Sequence, residues 1–138
     1  MSRVYSQAYL TAEVSTAPEA IAHAGQLGYA FVGLRLLPNA PGGGHQRLLG
    51  DPQVLRECLA RMADSGVGVF DLEIIRIGAA FDAAAYLPLL EAGAQLKARA
   101  VLVAGDDPDM NRLSDHYAEL CALMQGFGMT ADLEFMPW

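Results

Sequence analysis

The segment VFDLEI (residues 69–74) decides the fold, and TADLEF (residues 130–135) repeats its pattern. A strand places successive side chains on opposite faces, so Asp71 and Glu73 share one face while Phe70, Leu72 and Ile74 share the other. The same alternation sets Asp132 and Glu134 against Ala131, Leu133 and Phe135. An open sheet covered on both faces would have to bury these acids, and each unpaired buried ion costs several kcal/mol. In a barrel they point inward near the carboxyl ends of the strands. The pattern therefore favours a barrel, with four inward carboxylates: Asp71, Glu73, Asp132 and Glu134.

Working outward from these segments, apolar runs of strand length alternate with longer amphipathic stretches along the whole chain. Pro88 lies inside the third amphipathic stretch and either kinks a helix there or marks its true start. Strands are predicted at residues 5–14, 30–37, 67–77, 100–104 and 130–136. Helices are predicted from Ser15 or Thr16, with Pro18 and Glu19 in the first turn, to residue 27, from Asp51-Pro52 to residue 65, at about residues 81–96, and from after Pro108 to residue 125. This α/β order, βαβαβαβαβ, predicts parallel strands joined by right-handed crossovers, about half of a TIM barrel that one chain does not close.

The glycine run PGGGH (residues 41–45) bears on the main alternative, an open doubly wound sheet. A dinucleotide-binding sheet needs its glycine fingerprint after the first strand, but that strand runs directly into residues 13–16, EVST. The run at residues 41–45 follows the second strand and has neither the GxGxxG spacing nor a Gly-Lys-Ser/Thr end. It is an active-site loop or an ordinary flexible loop. A Rossmann sheet is thus disfavoured, and an open flavodoxin-like sheet is the weaker alternative.

Composition excludes two classes of partner. The 138 residues carry a formal net charge of -7, which opposes attraction to nucleic acid or to an anionic membrane surface. The 53% hydrophobic content is enough for one sizeable core, and no apolar run approaches the ~18 residues of a membrane span. Cys58 and Cys121 lie in helical patterns among apolar residues, as buried thiols do in a reducing compartment. We expect a single cytoplasmic domain over residues 1–138 without a disulfide.

Four segments carry a resemblance to a known family. They are VGLRLLP (residues 32–38), DLEIIR (71–76), VLVAGDD (101–107) and LEFMPW (133–138). Together they resemble the sugar phosphate isomerase/epimerase family, the xylose isomerase-like TIM barrels. The resemblance spans the whole chain but only the N-terminal half of a family member.

The resemblance implies one divalent metal, Mn2+, Mg2+ or Co2+, held by four side chains that end strands five to eight. Glu134 matches the first of these ligands, and the other three have no counterpart in this sequence. For an intact relative it implies proton transfer next to a carbonyl, as an isomerase, an epimerase or a dehydratase. Glu134 is accordingly the candidate metal ligand and catalytic acid/base, although a strand-end Glu is also a common solvated carboxylate.

The substrate-side candidates are Arg35, His45, Glu73, Arg76 and Trp138. A guanidinium forks onto two oxygens, so the two arginines suit a phosphate or a carboxylate. The alternative for each is internal ion pairing, of Glu73 with Arg35 or Arg76, and of Arg76 with Glu73 or Asp71. His45 and Trp138 either contact substrate or are simply exposed.

The expected small-molecule partner is a sugar, a sugar phosphate or a keto-acid, and five strands alone are expected to be inactive. Two open sheet edges invite pairing with another chain. The rival interpretation is therefore a non-catalytic half-barrel that homodimerises and buries Val69, Ile75, Val101 and Val103 between two copies.

Overall fold

A computed structural model describes residues 3–11 and 15–134 of the chain. Its five strands pair in chain order in one all-parallel sheet, and helices connect them. The fold is thus a parallel (β/α) half-barrel, as the sequence predicts. The strands are β1 (Ser6–Gln7), β2 (Phe31–Arg35), β3 (Gly68–Ile77), β4 (Ala100–Gly105) and β5 (Thr130–Glu134).

The first segment differs from the long strand predicted at residues 5–14. Only β1, two residues long, pairs with β2, and a 3-10 helix follows at Tyr9–Thr11. The turn carries the ring of Tyr9 to a position 4.5 Å below the guanidinium carbon of Arg35, and only 2% of Tyr9 is exposed. A continuous strand would remain paired with β2 along its length. Here the pairing stops at Gln7, and the side chain of Tyr9 is buried instead. Residues 12–14 lie outside the described part.

The helices begin where local capping signals predict them. Helix α1 (Ala17–Gln26) opens on a capping box in which Thr16 and Glu19 bond each other's main-chain N–H groups. Helix α2 (Pro52–Ser65) starts after Asp51 and ends at Gly66, whose φ of 74° suits a residue without a side chain. Helix α4 (Met110–Gln125) is capped by Asp109.

The third helical segment is divided in two. A 3-10 helix at Ala83–Tyr86 precedes α3 (Leu87–Gln95), and Pro88 lies in the first turn of α3. Proline is tolerated there because the first N–H groups of a helix have no intrahelical acceptor. Of the two predictions for Pro88, the true start is confirmed.

The apolar core lies between the sheet and its helices. It includes Ile21, Leu34, Leu72, Leu90, Val101, Leu120 and Met124, each fully buried. The four residues that the homodimer interpretation assigned to an interface are part of this core. Val69, Ile75, Val101 and Val103 are at most 1% exposed within a single chain, so that choice of interface is wrong. They point toward the helices rather than toward the open side of the sheet.

Exposed apolar side chains occur on the sheet and just before it, among them Phe70 in the central strand β3, which is 37% exposed. Leu133 in β5 is 51% exposed, and Val4 and Tyr5 before β1 are 66% and 56% exposed. Both thiols are free, Cys58 buried and Cys121 half-buried. No helix in the described ranges has the length and apolar character needed to cross a membrane.

Candidate functional site

The first pair of candidates, Arg35 and Glu73, occupies one register position on neighbouring strands β2 and β3. The Nε of Arg35 donates to Oε2 of Glu73 at 3.0 Å, and its Nη2 contacts the same oxygen. Their side chains are only 16% and 9% exposed. Of the partners considered for Glu73, Arg35 is therefore the one observed, and the stacked Tyr9 ring covers the cation from another side.

The second arginine, Arg76, has a partner that the sequence did not suggest. Its Nε and Nη2 donate to the two carboxylate oxygens of Asp106 at 2.5 and 2.9 Å. Its Nη1 donates to Oδ1 of Asn39 at 2.6 Å, in the loop after β2. Asp106, rather than Glu73 or Asp71, thus forms the bidentate ion pair with Arg76. The pair is more open than the first, with side chains 33% and 22% exposed.

The carboxylates Asp71, Asp132 and Glu134 follow a different geometry. Asp71 lies over Gly33, where an added Cβ would come within 2.7 Å of its Oδ1. Burial raises the pKa of Asp71, and the nearby charges of Glu73 and Asp132 raise it further. Within the described residues, no Arg, Lys or His forms an ion pair with any of these three acids. They form an acidic inner surface.

Glu134 is not in the same row of the sheet as Glu73. It pairs with Ala104, which pairs in turn with Arg76, so Arg76, Ala104 and Glu134 form one row. The equivalence of Glu73 and Glu134 suggested by the two similar segments is therefore wrong. The two segments are already out of step earlier, because Asp71 shares its row with Ala100 and Thr130 rather than with Asp132, and the register shifts further between Leu72 and Ile75.

His45 is exposed, and its Nδ1 lies 3.3 Å from the carbonyl oxygen of Gly43. The next residue, Gln46, donates its N–H to the carbonyl of Arg35 at 2.7 Å. The loop therefore returns His45 to the carboxyl end of β2. The structure gives His45 no contact with the other candidates, and Trp138 lies outside the described residues.

The two histidines in helices differ from each other. His23 is exposed, but His116 is half-buried, with its ring 5.4 Å from that of Phe81 and its Nδ1 buried without a hydrogen-bond partner among the described residues.

The described residues provide an incomplete ligand set for a divalent metal. In the described part of the chain, no three His, Cys, Asp or Glu side chains lie close enough together to hold an ion. Glu134 supplies carboxylate oxygens of the hard type that Mg2+ and Mn2+ prefer, but one carboxylate does not close a coordination shell. The residues present do not by themselves fit a complete metal site.

Sequence reasoning missed the acidic turn after β4. Asp106 bonds Arg76, while the buried Asp107 accepts two hydrogen bonds from Arg112 at 2.6 and 2.8 Å. Hydrogen bonds from Arg112 hold the pKa of Asp107 below its usual range. The signal was present in GDDP (residues 105–108), because acids directly after a parallel strand reach the edge where ligands bind.

Among known protein sequences, no family model matches the chain, and no curated protein is significantly similar to it. Solved structures do match its fold. A xylose isomerase domain containing protein from Salmonella typhimurium LT2 aligns with 100% of this chain at 12% identity, with a TM-score of 0.69 over 53% of its own length.

Two further structures agree. A sugar phosphate isomerase/epimerase from Parabacteroides distasonis ATCC 8503 aligns with 96% of the chain at 7% identity, with a TM-score of 0.66 over 51% of its length. The IolI protein, solved with a bound zinc atom, aligns with 95% at 13% identity, with a TM-score of 0.63 over 51% of its length. The chain spans about half the length of the solved structures it matches. It therefore has the fold of about half of a xylose isomerase-like TIM-barrel protein.

Proposed function

We propose that this chain forms one half of a metal-dependent sugar or sugar-phosphate isomerase/epimerase-like barrel, which transfers a proton next to a carbonyl group. The observation that carries the proposal is the row of Arg76, Ala104 and Glu134 at the carboxyl edge of the sheet, in the fold described above. Enzymes of the barrel class keep their chemistry at this edge. A dehydratase would use the same edge and is retained as a variant of the proposal.

Within this proposal Glu134 has two roles, as a ligand for Mn2+, Mg2+ or Co2+ and as an acid/base. It is exposed at the end of β5, so its carboxylate is accessible to a substrate or an ion. A carboxylate within hydrogen-bond reach of a C–H beside a carbonyl is a competent general base. Because the ligand set is incomplete, we propose that the half chain is inactive alone.

The other proposed contacts surround the substrate. Arg35 and Glu73 form a fixed polar wall, Arg76 lies in the row of Glu134, and His45 approaches from the loop after β2. Trp138, four residues after Glu134, is proposed as an aromatic wall for a sugar. The two free thiols support a reducing compartment, which we propose to be the cytoplasm.

Titration with Mn2+, followed by calorimetry and by the electron paramagnetic resonance of the free ion, tests the role of Glu134. We expect weak binding by the native chain, loss of binding in Glu134→Gln, and native binding in Glu119→Gln. Glu119 is an exposed acid on α4 and controls for the change in net charge. Equal binding by the Glu134 variant and the native chain, or no binding by either, would remove Glu134 as a ligand.

A second candidate function is a non-catalytic half-barrel that pairs with a second copy of itself. The exposed Leu133 on the outer strand β5 favours it, since an unpaired strand edge is a template for another strand. The interface would lie at β1 and β5 rather than at the buried core residues. Size-exclusion chromatography with light scattering discriminates the two, because a monodisperse monomer at micromolar concentration contradicts the dimer.

A further inference from the structure

The charge at the open edge of the sheet bears on which substrate the proposed site takes. Four carboxylates and two guanidinium groups lie toward this edge, so their formal charge is -2: Arg35, Arg76, Glu73, Asp106, Asp132 and Glu134. The two cations are also the two groups already engaged in ion pairs. An incoming phosphate or carboxylate would therefore meet net repulsion.

Arg76 is the cation placed best to meet a substrate, because it shares its row with Glu134 and a third of its side chain is exposed. Neighbouring parallel strands are about 4.8 Å apart, so two strand spacings, roughly 10 Å, separate the main chains of Arg76 and Glu134. Ala104 lies between them in the row and is fully buried.

The fork of Arg76 is already occupied. Its Nε and Nη2 edge, which would hold two oxygens of a phosphate, holds the two oxygens of Asp106 instead. Its Nη1 is directed at Oδ1 of Asn39. A phosphate could bind bidentately only by displacing a carboxylate that already fills the same positions.

We propose that Asp106 is a specificity-determining residue, which occupies the fork of Arg76 so that the site selects an uncharged polyhydroxy carbonyl compound over its phosphorylated or carboxylated counterpart. This inference rests on the proposed function and narrows its substrate class. Asp132 and Glu134, which form no ion pair with any described residue, suit such a ligand, because carboxylates accept hydrogen bonds from sugar hydroxyls.

The test compares a ketohexose with its 6-phosphate, using saturation-transfer NMR and calorimetry on the native chain, Asp106→Asn and Asp115→Asn. Asp115 is an exposed acid on α4 and gives the same change in net charge away from the edge. We expect the native chain to bind the free sugar more tightly than the phosphate. In Asp106→Asn, affinity for the phosphate should rise on the order of tenfold, while affinity for the free sugar stays unchanged. Asp115→Asn should match the native chain.

Two outcomes overturn the role of Asp106 but leave the proposed function standing. The first is tighter binding of the phosphate than of the free sugar by the native chain. The second is no gain in phosphate affinity in Asp106→Asn while the free sugar still binds. Binding of neither compound by any of the three proteins overturns both. Circular dichroism of Asp106→Asn checks the fold, and Asp106→Ser, which also removes the charge, must show the same gain in phosphate affinity.

Discussion

Arg35 and Arg76 end neighbouring strands at the same edge of the sheet, yet their surroundings differ. Arg35 is 16% exposed, directs two nitrogens to a single oxygen of Glu73 and stacks on Tyr9. Arg76 is 33% exposed and reaches both oxygens of Asp106 and the side chain of Asn39. The first pair is enclosed by the fold, and the second is where a ligand can compete. Residue type and strand position alone therefore do not distinguish an enclosed arginine from one that solvent reaches.

The two ion pairs should differ most in the loss of unfolding free energy when the acid of each pair is replaced by its amide. Glu73→Gln leaves the charge of Arg35 enclosed without a counterion, which should cost roughly 3 kcal/mol of unfolding free energy. Urea denaturation of the variant and of Glu119→Gln measures this loss. A loss below about 1 kcal/mol would place the pair among ordinary surface contacts.

The corresponding substitution in the Arg76–Asp106 pair should lower the unfolding free energy by less. Asp106→Asn is expected to cost less than about 1 kcal/mol, since water screens a pair that is a third exposed. Raising the salt concentration to 1 M should reduce this loss and leave that of Glu73→Gln nearly unchanged. Denaturation curves at two salt concentrations provide the measurement. Equal salt dependence for both variants would contradict the distinction between an enclosed and an open pair.

The smallest effect should have the opposite sign and comes from Asp71, which forms no ion pair with any residue that the structure describes. Its raised pKa means that the folded chain holds this proton more tightly than the unfolded chain does. Stability due to Asp71 therefore falls as pH rises from the ordinary value of 3.8 through the raised pKa, and stays lower at neutral pH.

Asp71→Asn should consequently be more stable than the native chain at pH 7. The gain should vanish below pH 3.8, where the native carboxyl is also neutral. Urea denaturation at pH 7 and pH 3 checks both the gain at neutral pH and its loss at low pH, with the exposed Asp115→Asn as the control. A variant less stable than the native chain at pH 7 would show that the ionised carboxylate is favourably placed.

Features that depend on nearby residues were predictable from sequence. Thr16 and Glu19 are three residues apart, and Asp51 directly precedes Pro52, so each helix start is encoded within one turn. The predicted first strand gives way to a 3-10 helix at Tyr9–Thr11, and no local pattern reports that the ring of Tyr9 is buried there.

The contacts of the candidate site join residues that are far apart in the sequence, and no local pattern reveals them. Asp106 and Arg76 are 30 positions apart, and nothing near either residue identifies the other. The apparent equivalence of Glu73 and Glu134 assumed that matching residues of the two similar segments share a row, but Asp71 shares its row with Thr130 rather than with Asp132. Glu134 itself was identified from a family resemblance, and its role awaits the metal titration.

The close approach of Gly33 to Asp71 links two positions 38 residues apart. Any side chain at position 33 would place its first carbon 2.7 Å from a carboxylate oxygen, so an alanine there requires the aspartate to move or to be replaced by something smaller. In a library that randomises both positions, glycine at 33 should tolerate many residues at 71, whereas larger residues at 33 should survive only with serine, alanine or glycine at 71. The two positions should therefore evolve together.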